Sequence, residues 1–162
     1  MPVRSFICLM IFALAALNLA HAPGKDLDFW IGDWIVTDTT PNAKNPPGTN
    51  TIKKIYDGKV VHENFKMGTF VGQSWSVYDA NNKVWRQTWV DNNGAYIALV
   101  SKKVGNDLAL QTIPNPKNPL AASRMVFTKV TPKGFTWRWE ATKDGGKTWT
   151  LAWQLDYKRK GT

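Results

Sequence analysis

An all-β fold is what this sequence predicts: an up-and-down antiparallel barrel of about ten strands, preceded by a cleaved leader. Three observations carry that expectation. Turn-forming residues recur at short intervals, the segments between them alternate in polarity and are rich in β-branched and aromatic residues, and residues 1–22 have the layout of an export signal.

The leader decides which residues count. Arg4 gives the first residues one positive charge, an uninterrupted apolar run covers 6–16, and small residues lead to Ala20-His21-Ala22. That order of charged, apolar and small is the order of a secretory signal peptide. The run is shorter than the roughly 20 apolar residues of a spanning helix, so no integral membrane segment is expected after processing. Pro23 disfavours a cut directly before it, which puts the mature N-terminus between His21 and Gly24. The only cysteine, Cys8, lies in the apolar run, so the mature chain has none and no disulfide can support it. The destination is periplasmic or secreted.

The remaining residues, 23–162, are enough for one domain and too few for two ordinary ones. Without Arg4 the 21 basic residues become 20 against 12 acidic, a mature net charge of +8. The lysines are scattered over turns and strand ends, and the one dense group is Lys158-Arg159-Lys160. Scattered charge reads as a solvated surface, and nucleic acid is not the expected partner.

Turn signals stand at Asp57-Gly58, Asn81-Asn82, Asn92-Asn93-Gly94, Gly105-Asn106-Asp107, Pro132-Lys133-Gly134 and Asp144-Gly145-Gly146. Between them, strands are predicted over 34–39, 51–56, 59–67, 70–78, 83–91, 95–102, 108–112, 124–130, 135–142 and 148–157. A single helical turn fits 26–31. Two proline-bearing segments, 41–48 and 114–123, cannot be central strands. Short connections make consecutive strands pair, and a sheet of this many strands closes instead of leaving two long edges.

Alternation assigns the faces. The last strand groups Trp149, Leu151, Trp153, Leu155 and Tyr157. The strand before it groups Phe135, Trp137 and Trp139, opposite Thr136, Arg138 and Glu140. Trp85, Gln87, Trp89 and Asp91 share a face, as do Val61, Glu63, Phe65 and Met67, and Trp75 goes with Val71, Gln73 and Val77. Most of the tryptophans fall on expected inner faces.

The first strand region reads Phe29-Trp30-Ile31-Gly32-Asp33-Trp34, and its Gly32-x-Trp34 pair resembles the lipocalin (calycin) signature. Asp57-Gly58-Lys59 with Glu63, the run Val84-Trp85-Arg86-Gln87-Thr88-Trp89-Val90-Asp91, the box Asp144-Gly145-Gly146-Lys147-Thr148-Trp149, and Tyr157 follow in order. Together, over nearly all of 23–162, they are similar to a family of exported bacterial lipocalin-like proteins of unknown function. The resemblance implies the barrel and a small apolar ligand, and no activity. It also implies that Trp34 closes the barrel floor beneath a basic residue after the last strand, which here is Arg159. The segment from Thr142 to Trp149 further resembles the Asp-box of sialidase-type propellers. A propeller needs repeated boxes, and with one box Asp144 and Trp149 read as parts of a structural hairpin.

Chemistry is sparsely signalled. A metal site lacks ligands, since His62 has no partner at ligand spacing, and no cofactor is expected. Neither a nucleophile elbow nor a phosphate loop is present. Among the carboxylates, Glu63 and Asp91 are the inward candidates. An acid inside an apolar barrel needs a partner or takes up a proton. Arg124 would supply one if its strand turns Arg124, Val126, Thr128 and Val130 inward, and would not if Met125 and Phe127 point in. The expected ligand-binding set is Glu63, Gln73, Trp75, Trp85, Gln87, Trp89, Arg124, Trp137 and Trp139.

Three function classes remain open: a barrel binding a small hydrophobic or aromatic ligand, a lyase, isomerase or hydrolase using the same cavity with Glu63 as general acid or base, and a carbohydrate-binding module with an outward row of tryptophans. The position of the tryptophans discriminates between pocket and sugar platform.

Overall fold

A computed structural model of the chain describes residues 24–161. The leader and Cys8 lie outside the described residues.

A short 3-10 turn, Asp28–Trp30, leads into ten strands: β1 Gly32–Asp38, β2 Gly48–Ile55, β3 Val60–Met67, β4 Phe70–Asp79, β5 Val84–Asp91, β6 Tyr96–Val104, β7 Asp107–Thr112, β8 Ala122–Thr131, β9 Gly134–Thr142 and β10 Thr150–Arg159. Each pairs antiparallel with its neighbours in sequence, and β1 pairs with β10, so the meander is a closed barrel. Closure removes the two edges that ten strands would otherwise expose. No helix among the described residues is long and apolar enough to cross a membrane.

The two ends of the barrel differ. One is plugged from within. Leu27 and Trp30 are buried under the first turn, and the Trp30 carbonyl accepts a hydrogen bond from Trp34 Nε1 at 2.8 Å. Phe127 meets Phe29 and Trp30 edge-on at 5.2 and 5.3 Å, and Phe135 meets Trp34 at 5.0 Å. Such aromatic pairs add about 0.5–1.5 kcal/mol each beyond their buried area. Trp34 stands opposite Arg159 in the β1–β10 register, and the guanidinium lies 4.2 Å from the indole centroid. Arg159 also donates to the Ile31 carbonyl at 3.1 Å and the Pro132 carbonyl at 2.9 Å, tying three segments across the floor. This explains the glycine two residues before Trp34. Gly32 has φ +146°, and a Cβ there would collide with the Arg159 guanidinium.

Two face assignments, in β4 and β10, are corrected, and the open one in β8 is decided. In β4 the buried residues are Gly72, Ser74 and Ser76, so Gln73 and Trp75 point outward with Val71 and Val77. Small residues sit inside here because the Trp89 ring crosses over Gly72, where any Cβ would strike it. In β8 the buried Met125 and Phe127 point in, and Arg124 therefore points out. In β10 a bulge between Leu151 and Trp153 breaks the alternation. One extra residue reverses the sides, so Trp149 and Leu151 do not share the inner face of Trp153, Leu155 and Tyr157.

Candidate functional site: an aromatic cup with a buried acid

Away from the plug the barrel interior holds a cavity of about 170 Å³. Its walls come from seven strands, β3 to β6 and β8 to β10. Phe65, Phe70, Trp89, Trp137, Trp139 and Trp153 surround it, with Glu63 and Tyr157 among the lining residues. The rings hold one another. Trp137 and Trp139 stack at 6.1 Å, Trp153 meets Trp137 edge-on at 5.6 Å, and Phe70 bridges Trp153 and Trp89 at 6.0 and 6.2 Å.

Two rim carboxylates fix two of these indoles. Trp153 Nε1 donates to Asp38 Oδ2, and Trp89 Nε1 to Asp91 Oδ2, both at 2.9 Å. The bond from Trp89, with the backbone amides of Asn93 and Ala95, holds the Asp91 carboxyl below its ordinary range. Asp91 is therefore an anion at neutral pH. At Asp38 burial raises the carboxyl, but hydrogen bonds from Thr40, Asn45 and Trp153 outweigh it and the net shift is downward.

Glu63 sits on β3 between β2 and β4, and its neighbours come from those strands and from β10. Asn50 Nδ2 donates to Oε1 and Ser74 Oγ to Oε2, both at 2.6 Å. Asn50 Nδ2 also lies 3.1 Å from the Tyr157 hydroxyl, and Gln87 Nε2 donates to Ser74 and Ser76 at 3.1 Å. None of these partners is a cation. Burial dominates, and the Glu63 carboxyl is pushed up to about 7 despite the two hydrogen bonds. The same burial, with the nearby Glu63 charge, raises the Tyr157 hydroxyl well above its usual value. Asn50 Oδ1 and Gln87 Oε1 are buried acceptors without a donor.

Of the residues expected to bind ligand, Glu63, Trp89, Trp137 and Trp139 line the cup. Gln87 is buried in the polar layer behind Glu63. Trp85 is core near the plug, where it packs edge-on with Tyr78 at 5.6 Å and donates to Asp26 at 3.3 Å. Gln73 and Trp75 lie on the outer wall, where both meet His62: Gln73 Oε1 at 3.0 Å and Trp75 by ring stacking. Arg124 is also outside, joined to Glu140 Oε2 at 2.7 Å, with Trp149 under its guanidinium at 3.9 Å. The expected Glu63–Arg124 pair does not form, because Arg124 registers with Glu140 on β9.

Asp144 accepts from Thr142 Oγ1 at 2.7 Å and from the Thr148 amide at 3.0 Å, and Trp149 Nε1 donates to the Gly146 carbonyl at 3.1 Å. These bonds close the β9–β10 hairpin. Phe70, Ile97 and Leu99 also line the cup and are not among the residues the sequence predicts for it. Phe70 and Leu99 alternate with outward residues, and that period was the signal that could have found them.

The geometry defines an all-β protein with a closed ten-stranded antiparallel barrel, compatible with a lipocalin-like fold, and an aromatic cup inside it. Compared with protein-family models the chain matches none, and no curated protein is significantly similar to it.

Proposed function

We propose that this chain is an exported, lipocalin-like barrel that holds one small hydrophobic or aromatic molecule in its cup. The observation that carries the reading is the aromatic-walled cavity above an aromatic plug, with a buried acid among its lining residues. Ligand sites are concave, mostly apolar and supplied with few polar groups. The volume sets the size. About 170 Å³ is small for a drug-sized molecule, while an engineered apolar cavity of about 150 Å³ in another protein binds benzene. The occupant is therefore of single-ring size. Export to the periplasm or beyond rests on the charged, apolar and small order of residues 1–22.

One observation favours a second reading, an enzyme. Burial puts the Glu63 carboxyl near neutrality, where a general acid or base works best. Binding remains preferred because Asn50 and Ser74 already occupy both carboxyl oxygens. A sugar platform has less support, since the outward Trp75 and Trp149 are engaged by His62 and Arg124 on different walls.

The test is titration with iodobenzene, a single ring that quenches indole emission. Saturable quenching that is lost in Trp137→Ala supports the cup. Purely collisional quenching, unchanged in Trp137→Ala, defeats it. Native mass spectrometry of exported protein, looking for a retained small molecule, is the complementary measurement.

A further inference from the structure

We propose that the molecule held in the cup is an organic cation, an aromatic or alkyl amine or a quaternary ammonium; this rests on the binding reading above. The ionisable side chains lining the cavity are Glu63, Asp91 and Tyr157, and no lysine, arginine or histidine is among them. In a chain whose formal net charge is +9, the interior wall carries acids alone.

The walls fit the same chemistry. Indole and phenyl faces carry negative potential, and aromatic cages are a recurrent means of holding quaternary ammonium groups. Trp137, Trp139, Trp153 and Phe70 are fixed by mutual packing, so their faces are in place before anything binds. The Trp89 hydrogen bond that helps hold Asp91 ionised also fixes the indole, which joins an anion and an aromatic wall in one unit. An anionic guest would meet the Asp91 carboxylate and the Glu63 carboxyl group, and no counter-charge. A neutral guest would gain nothing from the Asp91 anion at the rim. The basic exterior opposes entry only at longer range, where salt screens it within about 8–10 Å.

The groups facing Glu63 are Asn50 from β2, Ser74 from β4 and Tyr157 from β10, none of them cationic. A cation brought beside Glu63 favours its ionised form, so binding expels a proton. Affinity for a permanent cation should therefore rise as pH increases through neutrality.

Phenyltrimethylammonium and its uncharged carbon isostere tert-butylbenzene separate shape from charge, and the charge of the former does not vary with pH. Binding to the full mature chain is followed by calorimetry and tryptophan emission from pH 6 to 8. The expected result is roughly tenfold or greater preference for the cation, widening with pH. That preference should collapse in Glu63→Gln and fall in Asp91→Asn, whose remaining oxygen can still accept from Trp89. Should Glu63→Gln fail to fold, Asp91→Asn and the pH series carry the test. Equal affinity for both probes overturns the cation proposal and leaves the apolar cup standing. Binding of neither overturns both.

Discussion

The plugged end and the open end of this barrel are built from the same kinds of residue and do opposite things. At the plug, Trp30, Trp34, Phe127 and Phe135 interlock with Leu27 and leave Trp30 and Trp34 each 1% exposed. At the cup, Trp89, Trp137, Trp139 and Trp153 are half-buried around a void. The difference is what fills the middle. The turn Asp28–Trp30 pushes side chains in along the barrel axis at one end, and nothing described does so at the other. Indole content alone therefore does not signal a pocket. A ring becomes a wall when no second element packs against its free face.

The largest expected effect tests that contrast directly. Trp30→Ala should cost about 3–5 kcal/mol, the range for deleting a fully packed large ring. Trp137→Ala should cost only about 1–2 kcal/mol, because a ring facing a void has already forfeited contacts on that side. Denaturant unfolding of the two variants gives the comparison. Equal losses would mean that the cup is filled in solution.

Next in size is the pH dependence due to Glu63. Its carboxyl rises from 4.5 to about 7 on folding, so the folded state holds a proton that the unfolded state has released. The stability this contributes is fully present below about 4.5 and is lost as pH rises through about 7. The loss amounts to about 3 kcal/mol at most, since one pKa unit corresponds to 1.36 kcal/mol. Glu63→Gln should flatten the curve over that interval and be the more stable form at pH 8. Unfolding free energies at pH 5, 6, 7 and 8 check it, and a slope unchanged in Glu63→Gln would assign the dependence elsewhere.

The smallest effect belongs to the floor. Arg159→Ala removes a guanidinium from the face of Trp34, an interaction of about 0.5–2 kcal/mol. Melting temperature should fall while the iodobenzene constant stays the same, because Arg159 lies under the plug and not on the cup wall. A changed constant would mean that the two ends are coupled.

Much of the site escaped a strand-by-strand reading for specific reasons. The β5 and β9 sets were legible because Gln87, Trp89, Trp137 and Trp139 keep an unbroken alternation. In β4 the largest residue, Trp75, suggested the inner face, yet the neighbouring Trp89 had taken that volume and only Gly72 and serines fit. In β10 a single bulge residue reversed Trp149 and Leu151, and bulges carry no sequence period. Arg124 was open between two faces, and its strand's contacts with β9 closed the question by joining it to Glu140.

By itself the sequence determined ten strands, their order and their pairing, because turn chemistry and a two-residue period are local properties of a chain. It also determined that Glu63 would be an inward acid, since Val61, Phe65 and Met67 drag that position to the core. Tertiary structure decided what each acid and each indole meets. Glu63 lacks a cation because Arg124 exits on the far side of β8, and its raised carboxyl follows from that absence. Whether aromatic rings form a core or a cup likewise depends on which rings converge across the barrel, a long-range matter of volume that no single strand encodes.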